Sequence, residues 1–187
     1  IILTMIRRFN QKLQDLARSD TLTDLKNRRA FDDDFEQFLS LSKRQNQPLS
    51  LIFFDIDNFK VINDEYGHHR GDLVIVRIAA ILRKNFRKED LIARWGGEEF
   101  VVALLNTRQD QAFDLAETFR KQIEQDAELQ QLTSHPVTIS VGVTQYAPPE
   151  SYDSIFHRLD NAMYQAKQSG KNQSRLAKIL NGSGWAL

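Results

Sequence analysis

The sequence predicts an α+β fold, an antiparallel sheet flanked by helices. Three observations carry this expectation. Leu49 to Ile56 is a continuous apolar run, the pattern of a central strand buried on both faces. Leu91 to Trp95 and Glu99 to Leu105 are strand-like runs that flank Gly96-Gly97, a tight-hairpin signal because glycine accepts the positive φ such turns use. Between the strands, apolar residues recur at helical spacing. The order of strand, helix, hairpin, helix and strand is the split βαβ arrangement of a ferredoxin-like sheet.

Each element has a local reason. Ile2, Ile6, Phe9, Leu13 and Leu16 alternate at spacings of four and three, as in a coiled-coil seam. An amphipathic helix packed on its own domain fits the same spacing. Ser19 to Arg29 reads as a polar turn, with Asn27 as N-cap of a helix carrying Phe31, Phe35, Phe38 and Leu39. That helix fades over Lys43 to Gln47 and stops before Pro48. After the buried strand, Asn58 to Tyr66 is a short helical or loop connection. The glycines of Gly67-His68-His69-Arg70-Gly71-Asp72 mark a turn. A helix follows with Val74, Ile78, Ile81 and Leu82 on one face, and another carries Ala112, Leu115, Ala116, Phe119 and Ile123. Val137, Ile139, Val141 and Val143 alternate with Thr138, Ser140 and Gly142, a strand with one buried face. Ile155, Leu159, Ala162, Met163 and Ala166 form a last helix ended by Gly170, and Arg175 to Lys178 suits a short strand.

Composition bounds the function. The 187 residues suit one main domain plus an appendage. Lys+Arg and Asp+Glu are 25 each, so a net charge of zero argues against a broad basic surface for nucleic acid. With no cysteine, disulfides and thiolate metal sites are excluded. No apolar run is long enough to span a bilayer. The chain opens without an initiator Met and reads as a piece of something longer. Ile1 to Ile6 could be the end of a spanning helix belonging to an upstream, membrane-anchored sensor.

In the expected topology the first strand lies antiparallel to the third. Asp55 then falls beside Glu98 and Glu99, which are distant in sequence. Acidic groups that meet at one point repel unless a cation holds them, and oxygen-only donors suit Mg²⁺ or Mn²⁺. The glycine pair leaves room for a phosphate, which its N–H groups could bind. Two ions of this kind can activate an attacking oxygen and stabilise a leaving group, pointing to phosphoryl or nucleotidyl transfer. A Ca²⁺-type structural site, or a solvated turn with no ion, fits the same spacing.

Arg94-Trp95-Gly96-Gly97-Glu98-Glu99-Phe100 resembles the signature of the GGDEF family of diguanylate cyclases, in its Glu-for-Asp form. Asp20 to Leu25, Asn27-Arg28-Arg29, Phe54 to Lys60, Asn63-Asp64, Gly67-His68, Gly71-Asp72, Val137 to Val143, Tyr164 to Lys167 and Gly170-Lys171-Asn172 resemble further family blocks in family order. Several ordered motifs are far more specific than one pentapeptide.

The resemblance implies a nucleotidyl-cyclase-type βααββαβ core at 19–178, preceded by a signalling or coiled-coil helix at 1–18 and followed by a disordered tail at 179–187. It implies a cytoplasmic domain that joins two GTP into cyclic di-GMP across a homodimer. Asp55, the Ile56 carbonyl, Glu98 and Glu99 would hold two Mg²⁺ or Mn²⁺ ions, and Glu98 would help deprotonate the 3′-hydroxyl. Asn63 and Asp72 would read guanine. Taken alone, Asp72 reads instead as a helix N-cap. Phe59 and Lys60 would lie over the phosphates beside Gly96 and Gly97, with Lys167 and Lys171 binding the β- and γ-phosphates. Arg87 and Asp90 match an inhibitory product site. Asp114 and Thr118 stand where some members supply an arginine to bound product, so inhibition would be weaker or use another basic residue such as Arg120. Two rival readings are a catalytically silent receptor for cyclic di-GMP or GTP, and a purine-nucleotide cyclase acting on one molecule.

Overall fold

The computed structural model describes residues 18–178. The expected helix at Ile2 to Ala17 and the expected disordered tail lie outside the described residues. In chain order the elements are β1 (Lys26–Asn27), α1 (Arg28–Gln45), β2 (Leu49–Ile56), α2 (Phe59–Tyr66), α3 (His68–Asn85), β3 (Leu91–Arg94), β4 (Glu99–Leu105), α4 (Gln109–Glu124), α5 (Ala127–Leu132), β5 (Ile139–Gln145), α6 (Tyr152–Gln168) and β6 (Gln173–Leu176).

The strands form one six-stranded sheet in the order β1-β3-β4-β2-β5-β6. β2 is central and antiparallel to both β4 and β5, whereas the edge strands β1 and β6 pair in parallel. Alternation along the strands divides the core in two. Ile52, Phe54, Phe100, Val102 and Val141 pack toward α3 and α4. Leu51, Phe53, Val101 and Ala103 pack toward α1 and α6. A sheet covered on both faces needs apolar strands throughout, and all eight residues of β2 are buried.

β5 departs from the expected single buried face, because only its last residue, Gln145, is not fully buried. Gly142 explains this. A Cβ there would stand 2.4 Å from the Leu159 carbonyl oxygen and 2.7 Å from the Met163 nitrogen, so α6 rests directly on the strand backbone. Polar alternation here came from small residues that admit a helix, not from contact with water.

Asn27 caps α1 as expected, its side chain accepting from the Ala30 N–H at 2.9 Å. α3 begins earlier than the sequence suggested. Gly67, at φ 82°, forms the turn by itself, while Gly71 and Asp72 lie inside the helix. Asp72 is therefore not an N-cap. Leu115, expected on the buried face of α4, is 38% exposed. β1 and α5 were not anticipated: β1 has only two residues, and α5 buries a single leucine, Leu129, leaving no periodicity to read.

Trp95 closes the β3–β4 hairpin within an aromatic stack. Its ring lies parallel to Phe156 at 4.7 Å, Phe156 stacks on Tyr152 at 4.5 Å, and the Arg28 guanidinium sits 4.4 Å over the indole.

Candidate active site

The β2–β4 register brings distant acids together. Asp55 pairs directly with Glu99, and the Ile56 N–H donates to the Glu98 carbonyl at 3.2 Å. Lys167 reaches in from α6 and donates to Asp55 Oδ1 at 2.9 Å. Burial raises the Asp55 carboxyl above its ordinary range, and Lys167 opposes that rise. Glu98 and Glu99 are raised too, by burial first and then by the negative charge of Asp55. Asp55, Glu98 and Glu99 thus share one pocket, where the Lys167 ammonium offsets only part of their mutual effect.

Such a pocket can accept a hard cation. Among the described residues, no three acidic or imidazole groups already form a metal cage. Mg²⁺ seldom uses an all-protein cage; it takes one or two carboxylates and completes its shell with water and substrate phosphates. The all-oxygen set of Asp55, Glu98, Glu99 and the Ile56 carbonyl fits an ion of that kind.

The hairpin glycines work differently from the turn chemistry expected of them. Neither Gly96 nor Gly97 has positive φ; among the described residues the positive-φ glycines are Gly67 and Gly170. Gly96 leaves room for the Glu99 carboxylate, since a Cβ there would lie 2.5 Å from Glu99 Oε2 and push that oxygen aside. Both backbone N–H groups of Trp95 and Gly96 point at the Glu99 carbonyl, at 2.8 and 3.3 Å. Arg94 fixes the tip, donating to the Gly97 carbonyl at 2.7 Å while paired with Asp20 at 3.1 Å.

Asn63 on α2 and Asp72 on α3 lie on neighbouring helices. Gly71 was missed as a site residue because it read as turn punctuation. A Cβ on it would meet Asn63 Oδ1 at 2.0 Å, so its bare backbone is what lets the amide lie against α3 next to Asp72. Asp72 is exposed and able to pair outward.

At the other side of the pocket, the Lys171 ammonium donates to the Asn58 side-chain oxygen, at the head of α2 where Phe59 and Lys60 begin the helix. Phe59 is buried and Lys60 exposed.

The two carboxylates at the end of β2, Asp55 and the following Asp57, have different fates. Asp57 is 5% exposed and is satisfied within the protein. Its oxygens accept from Ser140 Oγ at 2.6 Å, Thr138 Oγ1 at 2.7 Å and the Asn172 N–H at 3.0 Å.

Arg87 and Asp90 form a closed turn. The Arg87 N–H donates to Asp90 Oδ2 at 2.7 Å, and burial raises the Asp90 carboxyl. Beside them is an open depression of about 370 Å³ lined by Lys26, Arg83, Arg87 and Lys88 among others. Arg120 is not a spare cation for this depression, contrary to expectation. It is 8% exposed and bonded to Glu117, Glu124 and Asn172.

Residues 17–173 match the family model described as "Diguanylate cyclase, GGDEF domain". The chain belongs to the GGDEF domain family. It is 40% identical over 176 residues to diguanylate cyclase DgcM of Escherichia coli, covering 91% of this chain and 41% of that protein. It is 39% identical over 173 residues to diguanylate cyclase A of Treponema denticola, covering 90% of this chain and 47% of that protein. The chain therefore spans less than half the length of these relatives. Among solved structures, it is similar to the active GGEEF domain of a diguanylate cyclase from Vibrio cholerae, with TM-score 0.76, 35% identity, and 82% of this chain and 98% of that chain covered. The coiled coil and GGDEF domain of DgcB from Caulobacter crescentus, in complex with c-di-GMP, gives TM-score 0.81 at 28% identity, covering 94% of this chain and 95% of that chain.

Proposed function

We propose that the chain is the catalytic domain of a diguanylate cyclase, joining two GTP into cyclic di-GMP with release of two pyrophosphates. The convergence of Asp55 with Glu98 and Glu99 across the β2–β4 register carries this reading. Two Mg²⁺ (or Mn²⁺) ions, held by Asp55, the Ile56 carbonyl, Glu98 and Glu99, would supply Lewis-acid stabilisation of the phosphates. Asp72 accepts from guanine N1–H and the 2-amino group, and Asn63 completes the reading. Adenine offers neither donor, so ATP leaves the guanine-reading groups unpaired and is rejected. Lys167 and Lys171 hold the β- and γ-phosphates, over the backbone of Phe59 and Lys60 and beside Gly96 and Gly97.

Two protomers face each other, each holding one GTP. Glu98 takes the proton of a 3′-hydroxyl whose oxygen forms a bond to the α-phosphorus of the opposite nucleotide. The bond from that phosphorus to the bridging oxygen breaks, and pyrophosphate leaves. A second round closes the ring. Cyclic di-GMP also binds at Arg87 and Asp90, because arginine can bond the O6/N7 edge of guanine bidentately, and it lowers activity from there. An upstream sensor domain supplies the input signal.

Mass spectrometry of the product from GTP and Mg²⁺ tests this. Cyclic di-GMP is expected from the unmodified chain. A one-nucleotide cyclic product, or none at any protein concentration, would overturn the reading. Glu98→Gln is expected to abolish turnover while leaving cyclic di-GMP binding intact. Turnover by that variant would remove Glu98 from its role.

A further inference from the structure

A partly buried polar network outside the acid pocket holds the turn that presents Lys171. After α6 the chain passes through three successive left-handed residues: Gly170 at φ 112°, Lys171 at 64° and Asn172 at 46°. Only the first is a glycine, so two residues with side chains occupy a region that L-residues rarely adopt. Something must hold them there.

Asn172 is gripped at both ends. Its N–H donates to the buried Asp57 carboxylate at 3.0 Å. Its amide oxygen accepts from Arg120 Nη1 at 2.5 Å, and its amide nitrogen donates to Glu124 Oε1 at 2.8 Å. Arg120 is fixed in turn by Glu117 at 2.9 Å and Glu124 at 3.0 Å. Asp57 is fixed by two hydroxyls of the β5 region, Thr138 and Ser140. Each of these polar side chains has a partner, so the network defines one geometry and not several. It ties the residue after Lys171 to both the sheet and α4, while the Lys171 ammonium itself reaches across to Asn58.

We propose that Asn172, clamped by Asp57, Arg120 and Glu124, is the positioning residue for Lys171 and so sets affinity for the terminal phosphates of the nucleotide. The proposal rests on the cyclase reading, in which Lys171 binds those phosphates. Asn172 touches no reacting atom; it acts through the backbone of its neighbour.

Calorimetric binding of GTP and of GMP, with Mg²⁺ present, tests this on the full chain. Asn172→Gly keeps the left-handed backbone accessible and deletes only the side-chain clamp. It is expected to weaken GTP binding by about tenfold, the scale of one charge-assisted hydrogen bond. GMP, which lacks the outer phosphates, is expected to bind as it does to the unmodified chain. The loss is also expected to vanish in a Lys171→Met background, because two changes acting through one ammonium do not add. Glu124→Ala, at a half-buried position, provides a milder variant and is expected to give a smaller loss of the same selectivity. Equal losses for GTP and GMP, a loss that adds to that of Lys171→Met, or GTP binding unchanged in both clamp variants would overturn the proposal. An unmodified chain that bound neither nucleotide would overturn the cyclase reading and this inference together.

Discussion

At the scale of single residues, the site depends on what is left out as much as on what is present. Gly71 has no side chain because the Asn63 amide occupies that space. Gly71→Ala is expected to displace Asn63 and raise the KM for GTP by about tenfold, the scale of one lost hydrogen bond to the base. Folding stability is expected to change little, since alanine is the better helix former and the atoms a methyl would crowd, the Asn63 amide and the edge of the Phe59 ring, belong to side chains and not to backbone. Steady-state kinetics beside a urea titration separates the two effects. The acids make a pH prediction. Asp55, Glu98 and Glu99 have carboxyls raised first by burial and then by neighbouring negative charge, so in the unliganded protein their contribution is most favourable at low pH and is lost as pH rises through their folded values. Glu99→Gln removes one of these charges. It is expected to raise Tm by a few degrees at pH 7, with the gain shrinking as pH falls toward 4.5, the ordinary glutamate value. A gain that grew on acidification would contradict the assignment. The acids and the lysines were legible from the sequence because motif order fixed them. Asp57 was not: its partners Thr138, Ser140 and Asn172 are 81 to 115 residues away, and only the fold reveals that its charge is satisfied.

At the scale of elements, legibility followed size. β2, β4, α1 and α6 were readable because each buries a full face or a long stripe, which imposes a period on the sequence. β1 and α5 impose none. β5 was recognised as a strand, but its second face was misjudged, because a glycine that accepts a helix looks the same in sequence as one that faces water. Gly142 makes this testable. An alanine methyl at this position would stand 2.4 and 2.7 Å from backbone atoms of Leu159 and Met163, so α6 would have to move off the sheet. Gly142→Ala is expected to cost about 3 kcal/mol by urea denaturation. Because α6 also carries Lys167, the same variant is expected to weaken GTP binding.

At the scale of the whole molecule, the sheet gathers the acids at one of its ends, where a second copy could bring the other nucleotide. If the proposed pairing of two protomers holds, specific activity is expected to fall steeply on dilution, and removal of residues 1–17 is expected to depress it further. Unchanged activity per protomer across dilution would defeat that arrangement. The split βαβ order was legible from the alternation of patterns alone, whereas the only period bearing on the pairing of chains, the spacing of Ile2 to Leu16, suits a helix packed on its own domain equally well. Among the described residues no helix is long and apolar enough to cross a membrane. The aromatic stack around Trp95 has a practical consequence. The chain has two tryptophans, Trp95 and Trp185. In a Trp185→Phe background, the indole bracketed by Arg28 and Phe156 becomes the lone tryptophan, fused to the glycine hairpin. Its emission then offers an optical readout of nucleotide arrival, without any attached dye.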